Sequence, residues 1–80
     1  MCRVINTKGC LEFIYSTPKL DYTDIFIPLT LKYTIRVTKI DSSIWFKVVK
    51  CVDVYLFSSQ DLKETLDWCY DNLNLDILYY

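Results

Sequence analysis

The spacing of apolar residues changes period once along this chain, and that change restricts the folds open to it. From 31 to 40, Leu31, Tyr33, Ile35 and Val37 alternate with Lys32, Thr34, Arg36 and Thr38. A period of two belongs to a strand buried on one face. Asp41-Ser42-Ser43 supplies turn chemistry, and residues 44–57 read as a second strand. Ile44, Phe46, Val48, Val52, Val54 and Leu56 share its inward phase, while Lys50 breaks it. That break predicts a bulge or twist near 49–51. Beyond Ser58 the period lengthens. Leu62, Leu66, Cys69 and Leu73 follow i, i+4, i+7, i+11, the single stripe of an amphipathic helix over about 59–73. Ser58 is the expected cap, with Asp61 three residues on as in a capping box, and Asn74 the expected helix end.

The flanks are read by turn and breaker residues. Residues 2–6 and 10–16 suggest a hairpin around Asn6-Thr7-Lys8-Gly9, with glycine where positive φ is easiest. Its register would set Ile5 against Cys10, Val4 against Leu11, Arg3 against Glu12 and Cys2 against Phe13. One face would then hold Cys2, Val4, Leu11, Phe13 and Tyr15, with Cys10 on the other. Pro18 and Pro28 bound a long connection in which Asp24–Ile27 makes a short edge strand. Leu75 to Tyr80 reads as a last strand or an extended tail. The expected fold is α+β: one domain over 1–80, with an antiparallel sheet of four or five strands and one helix, about 59–73, on one face.

Composition removes several classes of function. No apolar run approaches the roughly 18–20 residues that span a bilayer, and no charged segment followed by an apolar stretch opens the chain. No membrane association is expected, and the cytoplasm is the expected compartment. The absence of alanine beside frequent Ile, Tyr, Lys and Asp suits an AT-rich genome. There is no histidine, so the usual general base near neutral pH is missing and catalysis is not expected. Cys2, Cys10, Cys51 and Cys69 are widely spaced with no C-x-x-C pair. Buried free thiols are the leading reading, ahead of a disulfide or a metal site. No metal and no cofactor are expected.

Charge is sorted along the sequence. Residues 29–52 carry five cations (Lys32, Arg36, Lys39, Lys47, Lys50) against Asp41; residues 53–80 carry six anions against Lys63. On the helix, Trp68 falls about 120° from the apolar stripe, beside Asp61, Glu64, Asp67 and Asp71. An aromatic among carboxylates suits a docking surface for a basic protein partner. The plainer reading has Trp68 packed sideways on a loop and the carboxylates merely solvated. The outward sheet face supplies an alternative. Lys32, Arg36, Trp45 and Lys47 interleave cations with an indole, as single-stranded nucleic acid requires, although few cations and an acidic helix weigh against phosphate binding. Ile5, Cys10, Ile14, Val49 and Tyr55 are expected on this face too, which suits cover by another segment or by a second copy in a homodimer.

The hairpin over 31–57 followed by Ser58-Ser-Gln-Asp-Leu-Lys-Glu-Thr-Leu-Asp-Trp68 resembles the layout of small inhibitors that phages and archaeal viruses encode against host defences, the anti-CRISPR type among them. The resemblance covers about half the chain and carries no shared motif. It implies a viral or mobile-element protein that blocks a host nucleic-acid machine without catalysis. The first expectation is therefore a protein-interaction module acting through the acidic helix. A nucleic-acid-binding domain and a self-associating subunit are the alternatives.

Overall fold

The alternating middle of the chain forms the frame on which everything else packs. The computed structural model describes residues 3–51 and 53–80. In chain order the elements are β1 (Arg3–Ile5), α1 (Thr7–Ser16), a 3-10 turn (Pro18–Asp21), β2 (Ile25–Pro28), β3 (Tyr33–Ile40), β4 (Ser43–Lys50), β5 (Val54–Ser59), α2 (Leu62–Leu73) and β6 (Ile77–Tyr79). Strands β2, β3, β4 and β5 make one antiparallel sheet in that order, and β1 pairs with β6 in a parallel ribbon. The α+β expectation is met, with α2 over one face of a four-stranded antiparallel sheet. The structure adds a second helix and the ribbon.

Strand alternation sorts the sheet into two faces. Two rows run across the inner one: Ile25, Val37, Phe46 and Ser59; then Ile27, Ile35, Val48 and Phe57. Against them α2 presses its stripe, burying Leu62, Leu66 and Cys69 together with Thr65. Ile14 of α1, Leu20 of the 3-10 turn, and Ile5 and Ile77 of the ribbon join the same core. Each fully buried Leu or Ile contributes about 1.5–3 kcal/mol relative to exposure. In a chain this short such contacts decide whether it folds.

The expected hairpin at the N-terminal end is a helix instead. Asn6, taken as the start of a turn, is the N-cap of α1: its side chain accepts from the Gly9 N–H at 3.0 Å. Two periods overlap in this segment. Alternation groups Leu11, Phe13 and Tyr15, but Thr7, Cys10, Leu11 and Ile14 also fit i, i+3, i+4, i+7. The helical phase wins, burying Thr7 and Ile14 and leaving Phe13 and Tyr15 exposed. Cross-strand pairs of Arg3 with Glu12, Val4 with Leu11 and Ile5 with Cys10 therefore do not form. Arg3, Val4 and Ile5 face Ile77, Leu78 and Tyr79. The readings placed on Cys2 and Val52 lie outside the described residues.

The long second strand is also divided. Lys50 pairs with Val54, so the chain reverses between them, with Cys51 at φ 52°. The interruption of phase at Lys50 marks the end of β4. An irregularity does occur nearby, at Val48/Val49 opposite β5. The helix starts later than expected, because Asp61 rather than Ser58 is its N-cap, and Asn74 ends it in the left-handed region at φ 53°. The edge strand expected at 24–27 forms one residue later, as β2 (Ile25–Pro28), and β6 replaces the alternative of a tail.

Ile40 pairs with Ser43 across the two-residue loop Asp41-Ser42, where both residues have positive φ, 50° and 70°. This matches a type I′ hairpin, whose twist suits the flanking strands but favours Asn-Gly. Ser42→Gly should relieve left-handed strain, raising stability by about 0.5–1 kcal/mol and the melting temperature by several degrees. A thermal melt with lowered stability would contradict this account of the turn.

Candidate interaction surfaces

The acidic helix is fixed at its start by a relay of hydrogen bonds. The Asp61 carboxylate accepts from the Lys63 N–H at 3.0 Å. The Asp61 N–H donates to Ser59 Oγ at 3.1 Å, and that hydroxyl donates to Glu64 at 2.8 Å. In a capping box the N3 carboxylate would take the N-cap N–H directly; here the buried Ser59 hydroxyl stands between them. Thr65 Oγ1 donates to the Asp61 carbonyl at 2.9 Å. An acid at the N-cap, Asp61, and one in the first turn, Glu64, also suit the positive end of the helix dipole.

Further along α2, two side chains on opposite flanks are held by neighbouring strands. The Trp68 indole is half-buried and stacks on Phe57 of β5, with ring centroids 4.9 Å apart and planes 13° from parallel. Across the helix, the Tyr79 hydroxyl of β6 donates to Asp67 at 2.7 Å. That bond raises the Tyr79 pKa, helped by desolvation and by the charges of Asp67 and Asp61. Asp61, Glu64, Asp67 and Asp71 are all exposed. The expected grouping is thus present on one helix, with Trp68 at its margin and tied to the fold. The plainer reading is met in part, since the indole packs sideways, onto a strand rather than a loop.

Among the described residues, none of these four acids forms an ion pair. The two ion pairs among the described residues are Arg36–Asp24 and Lys39–Asp21. Both acids come from the segment between the prolines, and both cations from β3. The positive half of the sequence is therefore neutralised in part by its upstream neighbour.

The outer sheet face shows what this neutralisation does. Its rows are Phe26, Arg36, Lys47 and Ser58; Pro28, Thr34, Val49 and Tyr55; and the pair Thr38 and Trp45. Arg36 donates to Asp24 and to the Tyr55 hydroxyl. Its guanidinium lies 5.9 Å from the Phe26 ring centroid and 6.0 Å from that of Tyr55, within cation–π range. Lys47 approaches Tyr55 at 5.5 Å, and Thr38 Oγ1 donates to Asp24 at 3.1 Å. Lys32 is exposed just before β3. So Arg36, Trp45 and Lys47 share this face, but the Arg36 charge is matched by Asp24. Val49 and Tyr55 lie here as expected. Ile5 and Ile14 do not: both are in the core on the other side, and Cys10 sits on α1. Sequence reasoning missed Asp24 and Phe26, since nothing local to a loop and a short edge strand signals a partner on β3.

Cys10, Cys51 and Cys69 are free thiols. Cys69 alone among them is buried, and burial pushes its pKa up to about 11. Cys51 is exposed and Cys10 half-buried, which corrects the expectation of uniformly buried thiols. Among the described residues no three metal-ligating side chains converge. No helix there is long and apolar enough to cross a membrane. No family model matches the chain, nor does any curated protein or solved structure.

Two outcomes follow from this geometry. Trp68→Ala removes a half-buried stacked ring and should cost about 1.5–3 kcal/mol, seen as a lower denaturation midpoint; an unchanged midpoint would mean the stack contributes nothing. A thiol reagent at pH 8 should modify Cys51 and spare Cys69 in the native protein, because a thiol with a pKa near 11 is only about one part in a thousand thiolate there. Peptide mapping that finds both labelled equally fast would refute the burial of Cys69.

Proposed function

We propose that this chain is a non-enzymatic protein-interaction module that docks the outward face of α2 on a basic surface. The observation that carries the reading is the uncompensated acidity of that face. Glu64, Asp67 and Asp71 point away from the core stripe and, among the described residues, none is in an ion pair, while β3 cations are paired with Asp21 and Asp24. Unpaired carboxylates on a rigid helix steer a cationic partner toward it and repel anionic ones. The hydroxyl bonds from Ser59 and Tyr79 hold two of the acids in place, which lowers the cost of ordering them on binding. In layout the chain resembles viral inhibitors of host defence. The basic surface is accordingly proposed to be a groove that otherwise holds nucleic acid, and the action is occlusion.

The nucleic-acid alternative is supported less. Of Lys32, Arg36, Trp45 and Lys47, the central Arg36 is matched by Asp24, which leaves two cations, fewer than a run of backbone phosphates calls for.

The structure also selects the variant that tests the reading. Glu64 and Asp67 each accept a hydrogen bond, so Glu64→Gln with Asp67→Asn and Asp71→Asn keeps the acceptors and removes three charges. This triple variant should capture its protein partner from a host lysate at least about tenfold less well than wild type, with unchanged circular dichroism. Lys32→Gln with Lys47→Gln, on the opposite face, should capture normally. Equal capture by the triple variant and wild type would overturn the proposal.

A further inference from the structure

The molecule is a two-layer body with unlike charges on its two broad sides. The helix α2 covers the inner sheet face, so its outward acids point one way and the outer sheet face points the opposite way. No single copy can bring the two together. The principal extents of the molecule are 32 × 27 × 19 Å.

We infer that the open sheet face receives the outward face of α2 from a second copy of this chain, in a head-to-tail stack. This rests on the reading of that helix face as a docking surface, and it names one basic surface that fits it. Charge complementarity is the first argument. The sheet face carries Lys47, with the exposed Lys32 just before β3 and Arg36 matched by Asp24, while α2 presents Glu64, Asp67 and Asp71. Opposite charges meet in a stack, whereas a face-to-face pair through either surface would set like charges together. Composition is the second argument. Arg, Tyr and Trp are the residues that most often dominate binding energy, and this face holds Arg36, Tyr55 and Trp45. Arg36 is ordered in advance by Asp24 and Tyr55. Stacking would also cover the exposed Phe26 and Tyr55 rings and give the sheet a helix on both sides.

Such an interface joins different patches, so the assembly stays open at each end. Sedimentation velocity at low salt should show a mean mass that grows with concentration past twice the 9.6 kDa monomer, and that falls back at high salt. Lys32→Glu with Lys47→Glu should be monomeric, as should the triple Glu64→Gln, Asp67→Asn, Asp71→Asn. An equimolar mixture of the two should recover association but stop at the dimer, because each retains one live patch. A wild type that stays monomeric at every concentration in low salt overturns the inference. So does either variant associating like wild type, or a mixture that stays monomeric. A monomeric wild type whose lysate capture is still lost in the triple variant would remove self-stacking and keep the acidic docking face. A triple variant that associates and captures like wild type would remove both.

Discussion

Burial of the inner sheet rows is the constraint from which the other features follow. A sheet with Val37, Phe46, Ile35 and Val48 on one face must cover that face, and α2 supplies the stripe that does so. Once Leu62, Leu66 and Cys69 are committed to the core, the three-and-four spacing sends Glu64, Asp67 and Asp71 outward. The same alternation that turns Ile35 and Val37 inward turns Arg36 outward beside Lys47. The two charged surfaces are thus by-products of one packing decision.

Two cations at adjacent cross-strand positions, Arg36 and Lys47, would repel if left alone. Asp24 removes most of that conflict, and Phe26 and Tyr55 supply ring faces for the remainder. The connection between Pro18 and Pro28 has a structural task in this light. It carries Asp21 and Asp24 to β3 while its Leu20 and Ile27 enter the core.

How much of this was legible in the sequence depended on distance along the chain. The alternation at 31–40 and the stripe at Leu62, Leu66, Cys69 and Leu73 are local signals, and both elements formed where those signals lay. The segment Cys10 to Ser16 held two periods at once, and the choice between them depended on Ile14 reaching the inner sheet layer. That contact cannot be read locally. Nor could the partner of β1, whose Arg3 sits opposite Ile77. Of the candidate site, the four acids and Trp68 were visible as a helix face. The Ser59 relay to Glu64, the Phe57 stack and the Tyr79 bond were hidden because each depends on how β5 and β6 flank α2.

The β1–β6 ribbon has a consequence for the order in which the molecule assembles. The turns joining β3, β4 and β5 close over two or three residues, so those strands can find one another within microseconds. The ribbon instead joins Ile5 and Thr7 to Tyr80, a closure with a far larger entropic cost before any contact rewards it. During folding the meander can be complete while β1 still waits for Ile77–Tyr79. Until then the exposed edge of Arg3–Ile5 is the segment most open to capture by a chaperone or by a stray strand.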